Sequence, residues 1–302
     1  MRVVVAGGTG FIGRHVVARL LEEGGLDVVV TTRQPERPDP WDGRVRKVQA
    51  FAGDAVSMGK AFTGADTVVQ AIQFPNAPVE DPSKGRTYME VDGRGTEVAV
   101  AVARKLGVRR FVYLSGAGAG RGLPQRWFKA KDLAEKAIRE SGMEYAVLRP
   151  SWIYGPGDHS MSRFVWFCRH LPLVPVIGDG RTPVYPAYVK DVARAVADLV
   201  RREDARTTVL ELGGPERLTM DQVIRTIQQV IGKRRPLLHQ PPKLMKVLVR
   251  PLALMPAPIL SPDAIDFVTY PLEIDPRPAF EYFGFPFRKL ADGLRDHLVV
   301  PS

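Results

Sequence analysis

Cys168 is the only cysteine among 302 residues. A disulfide framework is therefore excluded, and the composition suits a reducing compartment. No run of about 18 apolar residues is present, so no membrane-spanning helix is expected. His15, His159, His170, His239 and His297 share no ligand spacing with Cys168 or with one another. No metal site is expected. Ser115 stands outside any Gly-x-Ser-x-Gly frame, which argues against a hydrolase. Acidic residues are in deficit: 33 Asp and Glu face 43 Lys and Arg, for a net charge of +10. That excess favours anionic ligands, a membrane surface or nucleic acid. No nucleic-acid motif accompanies it, so no nucleic-acid partner is expected. The deficit is sharpest from Gln222 to Pro262, where no Asp or Glu occurs.

What is present is the composition of a globular protein, 45% hydrophobic and 25% charged. The length suits two domains or one enlarged α/β domain. The chain is organised around its first residues. Val3, Val4 and Val5 form a β-branched run of the kind buried on both sheet faces. Gly7, Gly8, Gly10 and Gly13 follow at once. Phe11, Ile12, Val16, Val17, Leu20 and Leu21 then recur at helical spacing. Strand, glycine turn and helix arrive in the order a dinucleotide site requires. One glycine turns the chain, one lets a pyrophosphate touch backbone, and one lets the helix pack on the sheet. Gly8-x-Gly10-x-x-Gly13 and Gly7-x-x-Gly10-x-x-Gly13 both fit. Phe11, Ile12, Gly13 and Arg14 then open the helix beside the phosphates. With the first strand at the very start, no signal peptide is expected.

The residue after the second strand, 26–32, bears on the cofactor. A carboxylate there suits NAD, and a cation suits NADP. Here it is Arg33, with no acid before Glu36, so NADP(H) is favoured and NAD(H) stays open. Arg14 and Arg37 are possible helpers; the other account of Arg33 is a solvated loop residue. Residues 41–46 read as a polar turn and 45–50 as a third strand. Asp54 either meets the adenine amino group or caps the next helix. The fourth strand, 66–71, brings its end, Ala71, to the cofactor cleft. Phe74 to Gly85 reads as a loop. Val91, Val98, Val102 and Leu106 share a helical face. Residues 109–114 form a fifth strand, 127–141 a helix stopped by Gly142, and 145–150 a sixth strand. The alternation predicts an α/β fold, a doubly wound parallel sheet (Rossmann fold) with a smaller C-terminal lobe. The dinucleotide-binding domain is placed at 1–157 and the lobe at 158–302, with 186–213 returning to the core. A helix over 191–200 is expected to be capped by Asp191, a strand over 209–212 follows, and Thr219 opens a helix to Ile231.

Several of these segments resemble the extended and atypical short-chain dehydrogenase/reductase superfamily. They are Gly7 to Gly13, Arg110 to Ser115, Leu148-Arg149-Pro150, Ile153 to Asp158, and Tyr188 to Asp191. Leu212 to Leu218 and the basic stretch after it are similar to the branch holding the NAD(P)H-binding accessory subunit of respiratory complex I. The resemblance implies a Tyr-x-x-x-Lys helix, in which Tyr moves a proton, Lys bonds the nicotinamide ribose and lowers the Tyr pKa, and an upstream Ser holds the substrate oxygen. Lys131 matches the Lys, but Trp127 stands at the Tyr position. Indole is a donor that does not titrate. The Ser position falls near Gly116 or Ala117, just after Ser115, and Asp92 matches a position that is often Asn. Pro150 and its neighbours would still face the nicotinamide.

The binding parts are therefore expected to persist without the proton-transfer part. The expected role is structural, assembly or sensing, near a respiratory or membrane complex. The alternative is an active NADP-dependent oxidoreductase or nucleotide-sugar epimerase/dehydratase, with Tyr154, Tyr185 or Tyr188 supplying the proton. The expected location is cytoplasmic. Residues 233–260, basic and apolar, either rest on an anionic membrane or respiratory complex or pack on their own lobe.

Overall fold

The computed structural model describes residues 1–74, 79–203, 207–249 and 262–298; the side chains of 263 and 264 are also outside the description. Seven parallel strands form the central sheet: β1 (Arg2–Ala6), β2 (Asp27–Thr32), β3 (Arg46–Gln49), β4 (Thr67–Gln70), β5 (Arg110–Leu114), β6 (Glu144–Pro150) and β7 (Thr207–Leu212). Their order is β7-β6-β5-β4-β1-β2-β3. The chain winds outward from β1 to β3, then returns to β4 and winds the other way. Val3 consequently has Val28 on one side and Thr67 on the other. The switch between β1 and β4 opens a crevice at their C-terminal ends, where doubly wound sheets bind ligands.

Both faces of the sheet are covered, as a run of β-branched residues requires. Val3, Val5 and Val30 pack on one face with Val16, Val17 and Leu20 of α1 (Phe11–Glu23). Val4, Val29 and Val68 pack on the other with Met58 and Phe62 of α2 (Ala55–Phe62), Ala99 and Ala103 of α3 (Gly95–Lys105), and Ala134 and Ile138 of α4 (Arg126–Arg139). Trp41, in the stretch expected to be a polar turn, is buried in the first of these cores. A π-helical turn, Met89–Arg94, leads into α3, and Leu106 lies just beyond α3, exposed. The helix face predicted from Val91 to Leu106 is thus shorter than its periodicity suggested.

Beyond β6 come α5 (Met161–His170) and α6 (Val189–Arg201). Helix α6 packs on the α1 side of the sheet and leads to β7, which joins the sheet beside β6. Asp191 lies inside the first turn of α6 and does not cap it; its carboxylate accepts from the Arg288 backbone N–H at 2.7 Å. The buried Arg110 guanidinium donates to the carbonyls of Leu199 and Arg202, satisfying the C-terminal end of α6. Helix α7 (Met220–Val230) begins with a reciprocal capping box between Thr219 and Gln222. It packs with α5 and α11 (Leu290–Leu298) into a third core around Tyr154 and Tyr188. Three two-stranded pairings, Ile153–Tyr154 with Ala187–Tyr188, Pro183–Val184 with Leu218–Thr219 and Val174–Ile177 with Leu237–Gln240, and helices α8 (Pro242–Val249), α9 (Pro262–Thr269) and α10 (Arg277–Phe283) also occur among the described residues. Residues 250–261 of the basic stretch, and 75–78 of the predicted loop, lie outside the described residues.

Candidate dinucleotide and catalytic site

The glycine turn forms at the switch point. Gly7 has φ +79°, a conformation that L side chains rarely adopt. Its N–H donates to Thr31 Oγ1 at 2.9 Å, and its carbonyl accepts from Gly10 N–H at 2.9 Å. A Cβ on Gly7 would lie 3.0 Å from Ile72 N and 3.1 Å from the Ala71 carbonyl. Ala71 therefore forms the opposite lip of the crevice. A Cβ on Gly13 would lie 2.3 Å from the Gly7 carbonyl oxygen, so this glycine lets α1 seat against the turn. Gly10 is exposed and begins α1 with no side-chain cap and no acid in the first turn. Among the described residues, the N–H groups around Phe11, Ile12 and Gly13 thus meet no side-chain cap and no acid of their own first turn. Their dipole and open backbone fit a diphosphate.

The second part of the site joins α4 to the π-turn. Lys131 Nζ lies 2.7 Å from Asp92 Oδ1, and both residues are buried. The other carboxylate oxygen accepts from Phe74 N–H at 2.8 Å. Burial alone would lower the Lys131 pKa, but the Asp92 carboxylate outweighs it and holds the ammonium above its ordinary range. The same ammonium stands 5.3 Å from the centre of the Tyr113 ring. Burial pushes the Tyr113 hydroxyl up to about 12, against the pull of Lys131. One turn before Lys131, Trp127 is packed by rings: Phe267 at 5.3 Å, Phe128 at 5.5 Å and Tyr88 at 6.3 Å. It borders a cavity of about 510 Å³ that Glu80, Tyr88, Arg126 and Tyr270 also line.

The profile of the NAD(P)H-binding family matches residues 7–165, more than half of the chain. The chain belongs to this family. Among curated relatives, the mitochondrial NADH dehydrogenase [ubiquinone] 1 alpha subcomplex subunit 9 of Arabidopsis thaliana is 26% identical over 85% of this chain and 66% of the relative. The chain thus spans just under two thirds of that relative's length. A ceramide reductase of Caulobacter vibrioides is 26% identical over 79% of this chain and 73% of its own. The crystal structure of a UDP-glucuronic acid 4-epimerase from Bacillus cereus, in complex with UDP-glucuronic acid and NAD, superposes with a TM-score of 0.74. It covers 98% of this chain and 97% of that one at 18% identity, so the shared feature is the fold.

Within this NAD(P)H-binding fold, the remaining site residues fall in different places. Arg33 follows β2, exposed, with no ion-pair partner for its guanidinium among the described residues. The Thr9 and Thr32 hydroxyls, 3.3 Å apart, tie the glycine turn to that strand end. Asp54 caps α2, accepting from Val56 N–H at 3.1 Å. Its Ser57 hydrogen bond holds the carboxyl below the usual range. Arg14 donates to the Gly10 carbonyl at 3.3 Å, and a Cβ on Gly157 would sit 3.3 Å from its guanidinium. Pro150 ends β6, where its carbonyl accepts from Ala117 N–H at 2.9 Å.

Ser115 is the sharpest departure. Its hydroxyl is buried and donates to Glu135 Oε1 at 2.7 Å. Glu135 also receives Arg149 through two N–H bonds, 2.9 and 2.6 Å, and Arg139 at 3.0 Å. Ser115 thus belongs to a buried network. The three alternative tyrosines are engaged as well. Tyr154 donates to the Leu290 carbonyl at 3.3 Å, Tyr185 to Glu273, and Tyr188 to Asp296. Burial holds all three above the ordinary tyrosine range. Sequence reasoning missed Tyr113 and Glu135. Tyr113 sits two residues before Ser115 on β5, a position that the alternation of β5 places on the α4 side. No local pattern marks Glu135 as Ser115's partner.

Proposed function

We propose that the chain holds NADP(H) at the glycine turn and does not run Tyr-x-x-x-Lys proton transfer. The carrying observation is the closed Lys131–Asp92 pair beside Trp127. A lysine that activates a tyrosine does so through uncompensated positive charge. Here the charge is matched by Asp92, and the residue at the tyrosine position cannot titrate. The two differences act in the same direction. A dinucleotide, when bound, supplies hydride chemistry; this chain's residues cradle its phosphates and offer no proton at the expected atom.

Arg33 supports the preference for NADP(H), because its unpaired guanidinium follows the strand that ends at the ribose. Asp54 keeps lone pairs beyond those used in capping α2, and an adenine amino group is the donor assigned to them. The likeness to a complex I subunit supports a structural, assembly or sensing role near a respiratory or membrane complex. The deciding experiment is to denature the purified protein and identify the released nucleotide by mass spectrometry. NADP(H), with background turnover of carbonyl substrates, is the expected result. Release of NAD alone, or of no nucleotide, counts against the assignment.

One observation favours a second reading, an NADP-dependent oxidoreductase or nucleotide-sugar epimerase/dehydratase. The cavity beside Trp127 is large enough for a small substrate. Robust NADPH oxidation by the unaltered protein with a carbonyl compound would establish that reading.

A further inference from the structure

Helix α8 begins at Pro242, whose fixed φ suits a first helical position. Leu244, Val247 and Leu248 stand at i, i+3 and i+4, on one face of it. They are 54%, 59% and 59% exposed. The inner side is different: Val249 is buried, and Lys246 reaches Asp266 of α9 at 2.5 Å. The stripe therefore faces no other described part of the chain, while the helix itself is anchored. An unpartnered stripe of this kind is the mark of a helix with something still to meet.

Charge indicates what it meets. Lys243 lies beside the stripe, and Lys233 and Arg234 lie in the connection ahead of a short strand, Leu237–Gln240, that leads into α8. All three are exposed, and none has an ion-pair partner among the described residues. Asp266, the acid at α8, is already engaged by Lys246. An anionic surface is the complement. The composition separates lipid from protein. Protein interfaces favour aromatic residues and disfavour Lys. Here the stripe is aliphatic, the cation beside it on α8 is Lys243, and Lys233 and Arg234 precede it in the chain. Short amphipathic helices with this pattern lie in the plane of a bilayer, with aliphatic side chains among the acyl chains and cations among the headgroups.

We propose that α8 docks this protein on the surface of an anionic bilayer. The surface involves none of the cofactor residues, so the proposal stands apart from the reading of the dinucleotide site. Three aliphatic side chains give weak, reversible binding, and the cations add roughly fivefold each. Docking is therefore salt-sensitive.

The test is co-sedimentation of the full chain with phosphatidylcholine vesicles, with and without phosphatidylglycerol. Binding only to the anionic vesicles, falling as salt rises, is the expected result. Lys233→Gln with Arg234→Gln weakens it by roughly 25-fold, and Leu244→Ser with Leu248→Ser by at least about tenfold. NADPH binding and circular dichroism stay unchanged in both double variants, which separates lost docking from lost folding. Equal binding to neutral and anionic vesicles, or none to either, overturns the proposal. So does binding that survives the Leu244→Ser, Leu248→Ser change. A protein partner that binds the stripe when lipid binding is absent overturns it as well.

Discussion

Lys131 and Asp92, 39 residues apart in the chain, meet at 2.7 Å in a buried ion pair one helical turn from Trp127. A tyrosine placed at 127 would therefore stand beside a lysine whose charge Asp92 already matches. Trp127→Tyr alone should leave carbonyl reduction near background. Trp127→Tyr with Asp92→Asn should raise it by about 10², the lower end of what a positioned acid supplies. NADPH oxidation against a panel of carbonyl compounds measures this. Equal rates for the single and double variants would show that Asp92 does not restrain Lys131.

Arg33 has no protein partner for its guanidinium among the described residues. A charge-assisted bond to a 2′-phosphate contributes roughly 1.5–3 kcal/mol. Arg33→Ala should weaken NADPH binding by about 10- to 100-fold and leave NADH binding nearly unchanged. Titration of both nucleotides by fluorescence decides it, and parallel losses would remove Arg33 from cofactor choice.

Gly13→Ala is expected to damage both the fold and the site. Its Cβ would sit 2.3 Å from the Gly7 carbonyl oxygen, so α1 must move away from the turn. Overpacking of this kind destabilises by about 1–3 kcal/mol. Urea unfolding should show that loss, and nucleotide affinity should fall with it. An unchanged midpoint would mean that the turn accommodates a methyl group.

Burial alone would raise the Glu135 carboxyl, but the hydrogen bonds from Arg149 and Ser115, with Arg139, hold it below the usual range. A carboxyl lowered in the folded state adds stability above its ordinary value, near 4.5, and loses it as pH falls through the folded value. Glu135→Gln should therefore flatten the acid side of the stability profile between those two values. Glu135→Ala, which leaves the Arg149 charge without its partner, should cost about 3–5 kcal/mol at neutral pH. Thermal melts across pH read both effects, and a profile unchanged in Glu135→Gln would assign the acid sensitivity elsewhere.

Local chemistry was legible before any fold was known. The glycine turn, the β-branched strands and the Thr219 cap each depend on residues within a few positions of one another, so spacing alone carries them. The turn over 41–46 forms, closed by the Arg44 N–H on the Trp41 carbonyl, but its expected polarity misled, because Trp41 is buried by residues far away in sequence. Asp191 looked like a cap because capping is a local role, yet its carboxylate is taken by Arg288, 97 residues on.

The sequence by itself determined a parallel α/β sheet, a glycine turn from Gly7 to Gly13 between the first strand and helix, and an indole at 127, because each is written in contiguous residues. Only the tertiary structure decided that Asp92 compensates Lys131, that Ser115 belongs to Glu135 and Arg149, and that the stripe on α8 faces outward. Those outcomes depend on burial and on pairs formed across the sheet and its helices. A buried charge must find its partner wherever the fold brings one, and no spacing along the chain records where that is.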